Sequence, residues 1–212
     1  MYTLDAAKPR NYNWITERSD TMAMLAEKIE YFTYADYLKF DGDIRCELID
    51  GVIYNMASPL TIHQTISAQL WKRLDNFLES RRCKAFIAPL DVRLNAEEND
   101  DTVVQPDVMV LCDKNKLDPK GRGIIGAPDM IIEVLSPSSA YVDRVLKCKK
   151  YQDAGVKEYW IVSPRDKTVE AHLLIENKYR MRYYGNSDLI PVQTLPGLDI
   201  DLGQIFVEED EL

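Results

Sequence analysis

The sequence predicts a mixed α/β fold, and three observations carry that expectation. From Thr61 onward apolar residues recur every three or four positions (Ile62, Ile66, Leu70, Leu74, Phe77, Leu78), the stripe of a helix over 61–81. Residues 129–135 instead read as a strand that is apolar on both faces, as a fully covered strand must be. One helical stretch then separates that strand from another at 158–162, so the pair forms a crossover unit and should run parallel.

The other elements follow in order. Residues 1 to about 28 mix polar and apolar types and read as an N-terminal extension, set at 1–30, with the folded domain over 31–212. TYADYLKF (33–40) reads as a short helix, and CELIDGVIYNM (46–56) as a hairpin turning on Asp50-Gly51. Thr61 is the expected N-cap of the long helix. KAFIAPLDVRLN (84–95) and TVVQPDVMVLC (102–112) each read as β-rich, joined by the polar loop AEENDD. A Gly/Pro-punctuated loop follows, and after the buried strand VDRVLKCKKYQDAG forms a helix ending at Gly155. EYWIVSP, TVEAHLLI and KYRMRYYG give three more strands, and LPGLDIDLGQIF an ordered docking segment.

Composition narrows the function. A chain of 212 residues, 46% hydrophobic, suits one ordinary domain with a real core. No stretch approaches the roughly 18 apolar residues of a membrane span, and the N-terminus lacks the apolar stretch of a secretory signal. Cys46, Cys83, Cys112 and Cys148 stand far apart with no metal-site spacing, which fits neither zinc nor a disulfide framework and suggests reduced, cytoplasmic thiols. The net charge of −9 gives no general attraction to nucleic acid, so contact with DNA needs a local basic face, a divalent metal or a partner.

Charged residues within the apolar strands carry the functional argument. Glu133 interrupts MIIEVL, Asp107 follows Pro106 in VVQPDVMVL, and Glu47 opens the hairpin in RCELIDG. A buried carboxylate needs a cationic partner. Asp143, Lys147 and Tyr151 are spaced four apart on the helix leaving the Glu133 strand, so Lys147 can reach back to it. Convergent carboxylates bind hard divalent cations, and Mg²⁺ usually takes one or two of them. Each residue also has a plainer reading. Glu133 can be a structural ion pair or a solvated strand end, and Asp107 a turn carboxylate. Lys147 and Asp143 can be a surface pair, Tyr151 helix-end packing, and His63 a neutral histidine satisfied by backbone. Ser136, Ser138 and Ser139 are first of all caps and turn formers, although a helix start also suits a phosphate. Arg144, Lys149 and Lys150 form one basic cluster, and Lys114, Lys116, Lys120 and Arg122 a second positive stretch that can line a DNA groove.

QPDVMVL, IIEVLSPSS and DRVLKCKKYQDAGVKEYWIVSP resemble the Uma-type (Uma-two) family of predicted endonucleases in the PD-(D/E)XK superfamily. The similarity spans about 33–207, including ELIDGVIYNMASP, the His63 helix and LPGLDIDL. The resemblance implies a restriction-endonuclease-like fold, a central mixed β-sheet flanked by helices. It implies Asp107 and Glu133 as ligands of Mg²⁺ or Mn²⁺, with Glu47 as a further catalytic acid. The lysine expected two residues after Glu133 is replaced by Leu135, which makes Lys147 on the following helix the candidate to position or deprotonate the attacking water. His63, Ser136, Ser138 and Tyr151 would stand behind these residues or touch substrate. The first function so implied is a metal-dependent endodeoxyribonuclease, acting as a homodimer in the cytoplasm. The second is a catalytically silent dimeric binding or assembly module on the same fold. A metal-free structural protein is a third reading, and it leaves Glu133 without a reason.

Overall fold

Proline and glycine punctuation decides how the strands are distributed. A computed structural model describes residues 30–40, 45–95, 100–137 and 139–206. Apart from Glu30, the expected N-terminal extension lies outside these residues, as does Ser138.

Helix α1 spans Tyr34–Tyr37, and the hairpin pairs β1 (Cys46–Ile49) with β2 (Val52–Asn55). Its turn residues Asp50 (φ 52°) and Gly51 (φ 73°) are both left-handed, as a two-residue type I′ turn requires. A Cβ on Gly51 would lie 2.3 Å from the Tyr31 ring, so the position is closed to other residues. Helix α2, Thr61–Leu78, ends with the last residue of its apolar stripe, short of the expected limit at 81. Its capping position is held by Leu60 in extended conformation with no side-chain hydrogen bond, which corrects the expectation of Thr61 as N-cap.

The segments 84–95 and 102–112 are not single strands. Each splits at a proline, which has no N–H for the ladder. β3 (Lys84–Ile87) separates from β4 (Val92–Arg93) at the cis Ala88–Pro89 bond, and β5 (Val103–Val104) from β6 (Val108–Leu111) at Pro106. The two halves of each segment enter different sheets. The remaining strands are β7 (Ile124–Ile125), β8 (Met130–Val134), β9 (Glu158–Ser163), β10 (Thr168–Ile175), β11 (Lys178–Gly185), β12 (Leu189–Pro191) and β13 (Asp199–Asp201).

A six-stranded mixed sheet, in order β11-β10-β9-β8-β6-β3, forms the centre, with β8 and β9 parallel as the crossover requires. A five-stranded sheet, β2-β1-β5-β4-β7, and a β12-β13 ribbon complete the architecture. Alternation along the central strands builds two cores. Val108, Val110, Met130, Ile132 and Val134 face α2 and the C-terminal segment. Met109, Leu111 and Ile131 face the other way, toward the five-stranded sheet and Tyr151. Because side chains alternate, Asp107 shares a face with Met109, and Glu133 with Ile131.

Between β8 and β9 the chain winds a π-helical turn, Val142–Lys147, into α3, Cys148–Ala154. Gly155 ends it with φ 85°. A Cβ there would meet nothing within 4 Å, so Gly155→Ala tests backbone conformation alone. It is expected to lower the unfolding free energy by about 1 kcal/mol in a urea titration.

Cys83 and Cys112 form a disulfide, which corrects the expectation of reduced thiols throughout. They sit one step beyond the antiparallel pair Lys84↔Leu111, so strand pairing joins what sequence separation hides. Among the described residues, no helix is long and apolar enough to cross a membrane.

Candidate active site

The split at Pro106 places Asp107 at the mouth of β6. The register Val108↔Ile132 sets it opposite Glu133, near the end of β8. Asp107 Oδ2 accepts from the Val134 backbone N–H at 2.8 Å, and the Asp107 N–H points at Glu133 Oε2 at 3.4 Å. The two carboxylates are thus tied to one another through the ends of neighbouring strands.

Glu133 meets its cation on the helix. Lys147 Nζ lies 2.8 Å from Glu47 Oε2, 3.0 Å from Glu133 Oε1 and 3.3 Å from Asp143 Oδ1. Tyr151 OH donates to Glu133 Oε1 at 2.7 Å, and the Gln105 backbone N–H donates to Glu47 Oε1 at 2.8 Å. Glu133 is only 3% exposed, and Glu47, Asp143, Lys147 and Tyr151 are also buried. An exposed ion pair between Lys147 and Asp143 is therefore excluded, and so is a solvated strand end at Glu133. The spacing of four signalled Asp143 only as a surface partner; its burial depends on the helix docking against the sheets.

The electrostatics are unbalanced. Glu47, Glu133 and Asp143 surround the ammonium of Lys147, and Asp107 adds a fourth carboxylate beside Glu133. Burial holds the Glu133 carboxyl well above its ordinary range, and the charges of Asp143, Asp107 and Glu47 push the same way, with Lys147 opposing them. For Lys147 burial opposes the charge, but Glu133, Glu47 and Asp143 outweigh it and hold the ammonium far above its usual pKa. Burial, followed by Glu133 and Glu47, keeps the Tyr151 phenol protonated.

His63, in the first turn of α2, sets Nε2 3.1 Å from Asp107 Oδ2. Burial lowers its proton affinity, but the hydrogen bond and charge of Asp107 raise it further, for a net increase. These groups line an open cleft of about 430 Å³ between the Met56–Pro59 segment and the Ser136–Ser139 turn. Ser136 and Ser139 bond one another there, with Ser136 N–H donating to Ser139 Oγ at 3.0 Å. Arg45, which sequence reasoning did not single out, stands exposed at the cleft mouth.

The expected basic clusters do not converge on this cleft. Arg144 pairs with Glu170, Lys149 with Asp153 and Lys150 with Asp50. None of Lys114, Lys116, Lys120 and Arg122 lines it, and Lys116 Nζ instead caps the Ala127 carbonyl at 2.6 Å.

Among the described residues, no three His, Cys, Asp or Glu side chains form a ready metal cage. A cage is not what Mg²⁺ needs, since it keeps waters and takes one or two carboxylates. The donor set fits that ion: hard oxygen donors in a recess whose acids outnumber its cation. Asp107 and Glu133 are the pair that would hold it. His63 and Tyr151 would orient them, as hydrogen-bond partners behind metal ligands do.

Comparison with known proteins bears on the family and the fold. Residues 30–203 match the model of the Uma2 family, described as "Putative restriction endonuclease". The Synechocystis protein slr1290 is 28% identical over 162 residues, covering 76% of this chain and 82% of its own. A second Synechocystis protein, sll1609, is 27% identical over 142 residues, covering 66% of this chain and 78% of its own. A crystal structure of a "putative nuclease belonging to DUF820" from Anabaena variabilis superposes with a TM-score of 0.68 at 21% identity, covering 82% of this chain and 97% of that one. The fold is therefore restriction-endonuclease-like, and the chain belongs to the Uma2 family.

Proposed function

We propose that this protein is a metal-dependent endonuclease that hydrolyses phosphodiester bonds of DNA. The observation that carries the reading is one recess in which Asp107, Glu133, Glu47, Asp143 and Lys147 meet with an excess of negative charge. Bound Mg²⁺ or Mn²⁺ would offset charge growing on the scissile phosphate and acidify the attacking water. Asp107 and Glu133 hold the ion in this reading. Val134 N–H and His63 fix the Asp107 carboxylate, and Tyr151 fixes Glu133.

Lys147 is read as a fixed positive charge and hydrogen-bond donor rather than a base, because three carboxylates hold it protonated. Its contact to Asp143, at 3.3 Å the longest of the three, is the one a water would displace. Among the described residues one such cleft is present, and the expected homodimer would bring two together, one for each strand. The cytoplasm is the proposed place of action, the Cys83–Cys112 disulfide notwithstanding.

Plasmid nicking with Mg²⁺ and with Mn²⁺ tests the reading. Wild type should convert supercoiled DNA to nicked and linear forms, EDTA should stop it, and Asp107→Asn should lose it. No cleavage with either metal, from protein that unfolds cooperatively, would instead favour the silent binding module.

A further inference from the structure

A second groove of about 500 Å³ opens beside the acidic cleft and shares His63 and Ser136 with it. Its lining is largely aliphatic, with Leu60, Ile62, Leu135 and Pro164 among it. Leu60, in the lining of this groove, is 60% exposed, an apolar side chain held in water. The rim differs in charge from the cleft. Arg144, Arg165 and Lys167 stand there against Asp166, whose Oδ2 accepts from Ser163 Oγ at 2.8 Å. Arg144 is braced by Glu170, yet its side chain remains 39% exposed. On a chain of net charge −9, the site suited to a cation thus adjoins a groove with a cationic rim.

We propose that this groove seats an unpaired nucleotide flanking the scissile phosphate, so that the substrate is DNA with a gap, flap or single-stranded end beside the cut. The proposal rests on the nuclease reading of the adjoining cleft and specifies its substrate. An acidic recess repels phosphates, and the neighbouring phosphates must find cations outside it. Arg165 and Lys167 on the β9–β10 turn, with Arg144, supply them. The aliphatic walls select for an unpaired base, because a base inside a duplex is stacked on both faces and cannot offer one to protein. A guanidinium plane such as Arg144 adds a second surface on which a base can lie. The volume lies within the roughly 300–1,000 Å³ of small-ligand pockets.

The test measures binding and cleavage separately. Fluorescein-labelled DNA is offered as a blunt duplex, a duplex with a one-nucleotide gap and a single strand. Binding is followed by anisotropy without divalent metal, and cleavage is followed with Mg²⁺ or Mn²⁺. Methyl p-nitrophenyl phosphate serves as a small diester reporter that carries no nucleobase and reaches the cleft without filling the groove. Wild type should bind and cut the gapped duplex at least about fivefold better than the blunt one, the low end of what one stacked base contributes. Arg165→Ala, on an exposed turn, should reduce the slope of log affinity against log salt by about 0.7 on single strands, one phosphate contact. It should leave turnover of the reporter unchanged.

Equal use of blunt and gapped duplexes overturns the proposal. So does an unchanged salt slope, or equal loss on reporter and DNA. If wild type cuts nothing yet shows the gap preference and slope change in binding, the groove stands and the nuclease reading falls. Neither binding nor cleavage removes both.

Discussion

Glu133→Gln is expected to abolish metal-dependent cleavage while leaving the fold as stable as before, or more so. Residues that merely orient metal ligands are worth about ten- to hundredfold, so loss of a ligand should cost at least about a hundredfold in kcat/KM. The stability side follows from counting charges. Three carboxylates surround one ammonium with Asp107 close by, and Glu133 is held above its ordinary pKa mainly by burial and then by its acidic neighbours. Removing that charge relieves the imbalance, and Lys147 keeps Glu47 at 2.8 Å and Asp143 at 3.3 Å. Tyr151 still donates to the amide oxygen. Plasmid nicking paired with urea unfolding reads both quantities. A fall in stability beyond about 1 kcal/mol, the net worth of an ordinary hydrogen bond, would mark Glu133 as a structural ion-pair residue instead.

The opposite variant should fail the opposite way. Lys147→Met leaves Glu47, Glu133 and Asp143 buried with no cation, and breaking a buried pair on one side typically costs 3–5 kcal/mol. A drop of about that size in urea unfolding at neutral pH is the expected result. The pH profile carries a sign. Without Lys147 the Glu133 carboxyl keeps the upward push of burial and loses the downward one. A carboxyl whose folded pKa lies above its unfolded value adds stability that is complete below the unfolded pKa, about 4.3 for Glu, and fades as pH rises through the folded pKa. The variant should therefore be most stable in mild acid and weaken toward neutrality. Millimolar Mg²⁺ should restore part of the loss through binding to the folded state. A variant equally stable at pH 5 and pH 8, and indifferent to Mg²⁺, would show that the carboxylates are not electrostatically coupled.

Local periodicity made much of this fold legible. The apolar stripe of α2, the Asp50-Gly51 turn, the β8–α3–β9 crossover and the Gly155 terminus each depend on residues a few positions apart. The anomaly of Glu133 was legible for the same reason, since a charge inside a covered strand conflicts with its neighbours wherever the strand lies. Strand position and helical spacing also singled out Asp107 and Lys147, family resemblance implied their roles, and the fold brings both within reach of Glu133.

What local pattern could not decide was partition and burial. Pro89 and Pro106 each look like interruptions of one strand, but whether the chain resumes in the same sheet depends on distant strands competing for the same hydrogen bonds. That competition divides the segments between two sheets and opens the crevice in which Asp107 sits. The Cys83–Cys112 pairing is likewise a product of strand register rather than spacing.

Taken alone, the sequence determined which faces of α2, β6 and β8 are apolar and that a carboxylate at 133 needs a cation. Those are properties of side-chain chemistry and a period of two or four residues. Only the tertiary structure decided that the cation is shared with Glu47 and Asp143, that His63 braces Asp107, and that an aliphatic groove adjoins the acidic one. Each of these needs elements far apart in the chain to pack at one place, where burial makes a charge expensive and its neighbours decisive.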